Sequence, residues 1–430
     1  MASDAFSFRD YTRILRENRN FRLLWFAQIV SELGDWFYSL AVYSLLLKFT
    51  GKAESIAFAF VMQVLPQVLT SPAAGVLNDR LSRKSIMIFA DWSRAVIVLL
   101  MLFVSTPGMI WFIYVLLFLE TVMWALFEPA HHGVIPNITN ERDMTPANTL
   151  ASITWSFNFM IGFALGGVFT AAFGREVVFL INSISFVASA LLIRRMNFTE
   201  PHMEGHPTFT WRSMFDFTPI AEGVRYVRKD GRLLATMFCK AGLGLLGSNW
   251  VILPIFGLRI FPVMESTFGP EKAGMLGQSL LMGARGLGAI LGPVTISRMA
   301  GNSQKRMRYA ILCGMLLACA GYVLLGLSST LAFAVIGVMA AHSGLAMIWV
   351  FSTTLLQLST DDRYRGRVFS AEFSLGVLTM AASSAVAGYF VDHGVTVQRI
   401  AVINGLAMLV PAALWWVAQQ LWRGPSDRMS

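Results

Sequence analysis

Runs of about 20 apolar residues recur twelve times along this chain, and that recurrence constrains its fold more than any other feature. A bilayer's hydrocarbon core is about 30 Å thick, and a helix needs about 20 residues to cross it. The runs begin near Leu23, Ile56, Ile86, Ile110, Ala147 and Val177. After a polar stretch they resume near Leu233, Ala273, Tyr309, Leu331, Val368 and Ile400. Composition agrees. Of 430 residues, 55% are hydrophobic and only 14% are charged, against about 25% charged in a soluble domain. There is too little polar surface to cover two or three soluble domains, so the 33 Phe, 12 Trp and 23 Met must face outward as well as inward. The predicted fold is an all-α membrane protein of twelve transmembrane helices in two pseudo-symmetric six-helix bundles. One covers residues 1–195 and the other 232–430, with a cytoplasmic linker, 196–231, between them. The triplets Arg22-Leu23-Leu24 and Arg232-Leu233-Leu234, which open the first and seventh spans, support two related halves.

The net charge of +9 would suit nucleic acid, but its distribution argues otherwise. Of 34 Lys and Arg residues, 25 fall on one face: the amino end, alternate loops, the linker and the tail. Six fall on the other, namely Lys48, Lys52, Arg175, Arg259, Lys272 and Arg399. Positive charge accumulates on the cytoplasmic side. The expectation is a multi-pass protein of the cytoplasmic (inner) membrane with both termini inside and no nucleic-acid partner. The amino end leads directly into a full-length helix, so no cleavable signal peptide is expected. Three Cys exclude a disulfide scaffold and a zinc cluster. In the linker, Phe215, Ile220, Val224 and Val227 recur at helical spacing within Met214–Val227, an amphipathic stretch expected on the inner membrane surface.

Ionisable residues inside spans are costly and so mark function. The first span carries Gln28, Glu32, Asp35 and Ser39 as one stripe. The third has Asp91 and Arg94, three apart and expected to satisfy one another or a neighbouring loop. The fourth has Glu120 near mid-depth and Glu128 near its end, followed by His131 and His132. Lys240, Arg285, His342 and Glu372 lie in the seventh, eighth, tenth and eleventh spans. The histidines read as hydrogen-bonded helix residues without metal spacing, and neither a metal nor a cofactor is expected. With Glu128 set aside at the inner edge, five acids face three bases. The excess suits protons, a cationic substrate group, or both.

The loop after the second span reads Gly75-Val76-Leu77-Asn78-Asp79-Arg80-Leu81-Ser82-Arg83-Lys84. It resembles the G-x-L-x-D-R-x-G-R-K signature of the major facilitator superfamily, with Ser82 where that signature has Gly. Three further stretches resemble its drug:proton antiporter branch, which holds macrolide-efflux and enterobactin-exporter proteins, with lysophospholipid transporters nearby. They are Ser31-Glu32-Leu33-Gly34-Asp35, Pro129 to Asn148, and Gly366-Arg367-Val368-Phe369-Ser370. Gly162-Phe163-Ala164-Leu165-Gly166-Gly167 resembles the antiporter glycine motif, with Phe163 in place of Pro. The resemblance implies a secondary transporter, a proton-coupled exporter of amphipathic or drug-like small molecules working by alternating access. The alternative is a lysophospholipid or other lipid transporter of the same fold. No G-x-x-x-x-G-K-[ST] loop exists for ATP, and no nucleophile–base pair suggests an enzyme. Expected partners are a small-molecule or lipid-like substrate, protons and membrane lipids, and the chain is expected to be a monomer.

Three local expectations follow. Gly75, Asp79, Arg80, Arg83 and Glu128 should form a cytoplasmic gate, with an Arg83–Glu128 ion pair and Asp79 near the helix start around Arg367 to Ser370. Glu32 and Asp35 should couple protons, with Glu120 and Arg285 also on the substrate path. Asp35, Lys240 and Glu372 should form one charge cluster, since a buried ammonium needs a carboxylate.

Overall fold

The computed structural model describes residues 8–200, 217–300 and 303–422. Among these, every regular element is a helix. In chain order they are α1 (Phe8–Glu17), α2 (Arg19–Thr50), α3 (Ala53–Arg80), α4 (Arg83–Leu100), α5 (Ile110–Ile138), α6 (Glu141–Phe173), α7 (Arg175–Arg194) and α8 (Thr218–Val227). They continue as α9 (Gly231–Gly244), α10 (Asn249–Ile255), α11 (Glu265–Ala300), α12 (Gln304–Leu327), α13 (Leu331–Ser359), α14 (Asp362–Asp392), α15 (Val397–Ala407) and α16 (Leu409–Ala418). A 3₁₀ turn joins α9 to α10, and a π turn, Phe256–Ile260, follows, so that Gly231–Ile260 is one span.

Eleven helices among the described residues are long and apolar enough to cross a membrane. The twelfth expected span, α2, has ample length at 32 residues. It misses that apolarity because Glu32 and Asp35, with Gln28 and Ser39, interrupt it. The outward faces carry bare apolar side chains, among them Phe103, Trp111, Ile184, Leu327 and Leu414. In water such faces would aggregate; in lipid they are the ordinary exterior.

The chain divides into two compact units: residues 1–45 with 62–216, and residues 46–61 with 217–430. In the first, α4 packs against α5 and α7. Gly162 and Gly166 of α6 lie against Trp36 and Phe37 of α2, where a larger residue would not fit. Trp36, Phe159 and Phe163 form an aromatic cluster there, so Phe163 takes part in the packing. In the second unit, α12 packs on α13 and α15, and α11 on α13. The stretch 46–61 belongs to this unit because Asp392 accepts the backbone N–H groups of Ala53 and Glu54, each at 2.8 Å. That carboxylate caps the start of α3 and meets its positive dipole end.

The amphipathic linker stretch is described in part. Met214, Phe215 and Asp216 lie outside the described residues, and Thr218–Val227 forms α8, which packs onto α14. Val227 is buried with Leu233, Met237, Leu356 and Val368. Tyr226 stacks on Tyr364 with ring centroids 4.4 Å apart, and Glu222 pairs with Arg367 at 2.9 Å. Gly223 permits the contact, because a Cβ there would strike the Arg367 carbonyl.

Candidate functional site

In the first unit the polar stripe of α2 turns inward and meets polar groups from α4, α5, α6 and α7. Glu32 accepts from Gln28 Nε2, one turn earlier, and from Asn158 Nδ2 of α6, both at 2.9 Å. Asp35 accepts from Arg94 Nη1 of α4 and Asn182 Nδ2 of α7, both at 3.4 Å. Arg94 is the hub, only 2% exposed. Its Nη2 reaches Asp91 at 2.5 Å, and Ser189 donates to the other Asp91 oxygen at 2.6 Å. The guanidinium also lies over the Phe186 and Phe127 rings, at 4.1 and 4.9 Å, a favourable seat for a desolvated cation. Glu120 is buried on α5 within electrostatic range of both Asp35 and Arg94. One guanidinium thus serves three carboxylates in an apolar interior.

The expected Asp91–Arg94 pair is present, but Arg94 also holds Asp35, which the sequence reading had grouped with Lys240 and Glu372. Spacing along one helix gives the first pair, whereas the second depends on how α2 and α4 meet. Asn158 and Asn182 escaped the reading because a lone Asn in an apolar run carries no charge signal. Their only mark was polarity within an apolar run.

In the second unit, Lys240 Nζ lies 2.9 Å from Glu372 Oε2, and both side chains are buried. The ammonium also lies over Trp349 at 4.2 Å. The buried ammonium thus has its carboxylate, as the sequence predicts for these two residues. Arg285 sits over the Trp250 ring at 3.7 Å, and Trp250 stacks on Phe60 at 5.1 Å. The Tyr322 hydroxyl and His342 Nε2 are 3.4 Å apart, and Arg285 acts electrostatically on both.

The loop motif is arranged differently from expectation. Arg83 does not meet Glu128: its Nη1 donates to the Gly133 carbonyl at 2.7 Å and its Nε to the Asn78 carbonyl at 3.3 Å. Gly133 makes room, since a Cβ would press on the guanidinium. Glu200 accepts from the Arg83 backbone N–H at 2.7 Å, and Ser82 caps α4 by accepting from Ser85 N. The side chain of Asp79 lies outside the described residues. Gly75 is exposed, and among the described residues a Cβ there would meet nothing within 4 Å. Arg80 closes α3. Glu128 instead meets His132 on its own helix at 3.1 Å.

Apolar helices of spanning length, in two units that each bury charge, are the construction of a membrane transporter of the major facilitator type. The chain belongs to the family of transmembrane secretion effectors, whose profile matches residues 15–426. Among curated relatives, the uncharacterized MFS-type transporter YfiS of Bacillus subtilis is 28% identical, covering 93% of this chain and 92% of its own. The putative bacilysin exporter BacE of Bacillus subtilis is 25% identical over 85% of this chain and 87% of its own. Macrolide efflux protein A of Streptococcus pyogenes is 24% identical, with 87% and 89% covered. Among solved structures, a mutant of the nucleoside transporter NupG superposes with a TM-score of 0.72 at 13% identity, covering 93% of this chain and all of that one. That likeness concerns the fold.

Proposed function

We propose that this protein is a secondary active exporter of amphipathic or drug-like small molecules, driven by proton influx and working by alternating access. The observation that carries the reading is the cluster of Asp35, Asp91 and Glu120 around the single guanidinium of Arg94, with Glu32 beside it. Carboxylates in excess of a buried cation leave negative charge that either a proton or a cationic group of the substrate can neutralise. Competition between the two for the same oxygens is the simplest way to couple their movements. Putative or assigned export by relatives, of bacilysin and of macrolides, supports the outward direction. In this reading the chain sits in the inner membrane with cytoplasmic termini, and Arg80, Arg83 and Glu128 act at the cytoplasmic side with Asp79. Lys240, Glu372 and Arg285 belong to the substrate path.

The test is transport by purified protein in proteoliposomes under an imposed pH gradient, screening dyes, macrolides, siderophores and lysolipids. Gradient-dependent movement of at least one drug-like compound, abolished by a protonophore, is the expected result. Movement of lysolipid alone, indifferent to the gradient, would replace this reading with that of a lipid transporter.

A further inference from the structure

Glu128, His131 and His132 stand outside the carboxylate cluster, and the proton-coupled reading gives the two histidines no work. They occupy positions i, i+3 and i+4 of α5, so the helix itself puts them on one face. One ligand-capable atom from each lies within 4.8 Å of the other two. Glu128 Oε1 and His132 Nε2 are already 3.1 Å apart. Ligands of a tetrahedral zinc, each about 2.1 Å from the ion, lie about 3.4 Å from one another, so one pair is nearly at bonding geometry.

His131 supplies the second, independent observation. Its side chain is 4% exposed, and the described residues offer its ring nitrogens no hydrogen bond. Buried polar groups are ordinarily satisfied. The ring is held instead by Phe127, nearly parallel at 16° with centroids 5.9 Å apart. It is therefore oriented and largely buried, with no hydrogen bond from the described residues, beside a carboxylate and a second imidazole. Neither neighbour is sealed in: Glu128 is 35% exposed at its side chain and His132 59%. An ion could enter from that side and keep a water or another group as a further ligand. The charges nearby also favour a cation. Glu32 acts electrostatically on both Glu128 and His132, and Arg94, which also acts on Glu128, is itself paired with Asp91 and Asp35.

We propose that Glu128, His131 and His132 form a binding site for a divalent transition metal of the Zn²⁺ class. Two imidazoles and one carboxylate suit Zn²⁺, Co²⁺ or Ni²⁺ rather than Mg²⁺ or Ca²⁺, which take oxygen ligands. The sequence reading passed over this set because His-His with a Glu three residues earlier is not a familiar metal spacing. On a helix it is nonetheless a convergent one.

The test uses the full chain purified in detergent with its affinity tag removed, titrated with ZnCl₂ by calorimetry and with Co²⁺ by visible absorption. Expected are one Zn²⁺ per chain, no response to Mg²⁺, and a Co²⁺ band that Zn²⁺ displaces. Both His131→Ala and His132→Gln should weaken binding by at least about tenfold, the least that disturbing a metal's supporting shell costs. His132 is exposed, so its variant keeps the test open if His131→Ala fails to fold. A chain carrying His202→Ala and His206→Ala should bind as wild type. The proposal falls if wild type binds no Zn²⁺ at micromolar concentration, if both α5 variants bind normally, or if the His202/His206 variant loses the ion.

Discussion

Asp35 accepts from a guanidinium and an amide, while Glu32, one turn away on α2, accepts, among the described residues, from the amides Gln28 and Asn158. Of the two, Asp35 is the one tied to a buried charge, so neutralising it changes the charge balance at Arg94. Asp35→Asn is expected to leave a folded, monodisperse protein and to abolish gradient-driven transport in proteoliposomes. Unchanged pH-driven uptake by that variant would remove Asp35 from the coupling mechanism. The Lys240–Glu372 pair makes a different prediction, about stability. Glu372→Ala leaves an ammonium buried without its carboxylate, which costs about 3–5 kcal/mol. The double variant Lys240→Met/Glu372→Leu should recover most of that loss. Melting temperatures of the detergent-solubilised proteins decide it; a double variant less stable than the single one would mean that the pair itself is the better use of the site.

Elements in this protein are positioned by close approaches as much as by apolar faces. α8 is the clearest case. Its docking on α14 depends on Gly223 lying against the Arg367 carbonyl, which is backbone and cannot swing aside. Gly223→Ala is therefore expected to lift α8, at a cost of about 1–3 kcal/mol, the usual penalty for overpacking. Hydrogen exchange should quicken across Thr218–Val227, with the Tyr226–Tyr364 stack lost. Protection as in wild type would show that α8 is held by its apolar contacts alone. At the start of α3, Asp392 performs the office of a capping residue from a distant point in the chain. Asp392→Ala should destabilise by about 0.5–2 kcal/mol, as loss of a local cap does, read as a lowered melting temperature.

At the scale of the whole molecule, α2 needs a direct test, because its stripe of Gln28, Glu32, Asp35 and Ser39 lowers its apolarity while its 32 residues exceed a bilayer's need. If it crosses, its ends face opposite compartments. Single cysteines placed at Asn18 and Gly51, in a chain whose Cys239, Cys313 and Cys319 are replaced, should react with an impermeant maleimide from opposite sides. The excess of Lys and Arg predicts that Asn18 is reached from the cytoplasm. Labelling of both positions from one side would overturn the span and the count of twelve together.

The sequence by itself determined the class of molecule: apolar runs of bilayer length, a one-sided distribution of Lys and Arg, and a signature loop beginning at Gly75. Those signals are local or statistical, so they survive without any knowledge of packing. It also determined which side chains were too polar for lipid, and the pairing of Asp91 with Arg94, since three residues on a helix are neighbours whatever the fold. The tertiary structure alone decided where the other charges went. Asp35 joins Arg94, Arg83 rests on carbonyls of Asn78 and Gly133, and Asp392 caps a helix more than three hundred residues away. Each of these is a contact between helices, set by their rotation and depth. Periodicity assigns a residue to a face of its helix; only packing says which helix that face will meet.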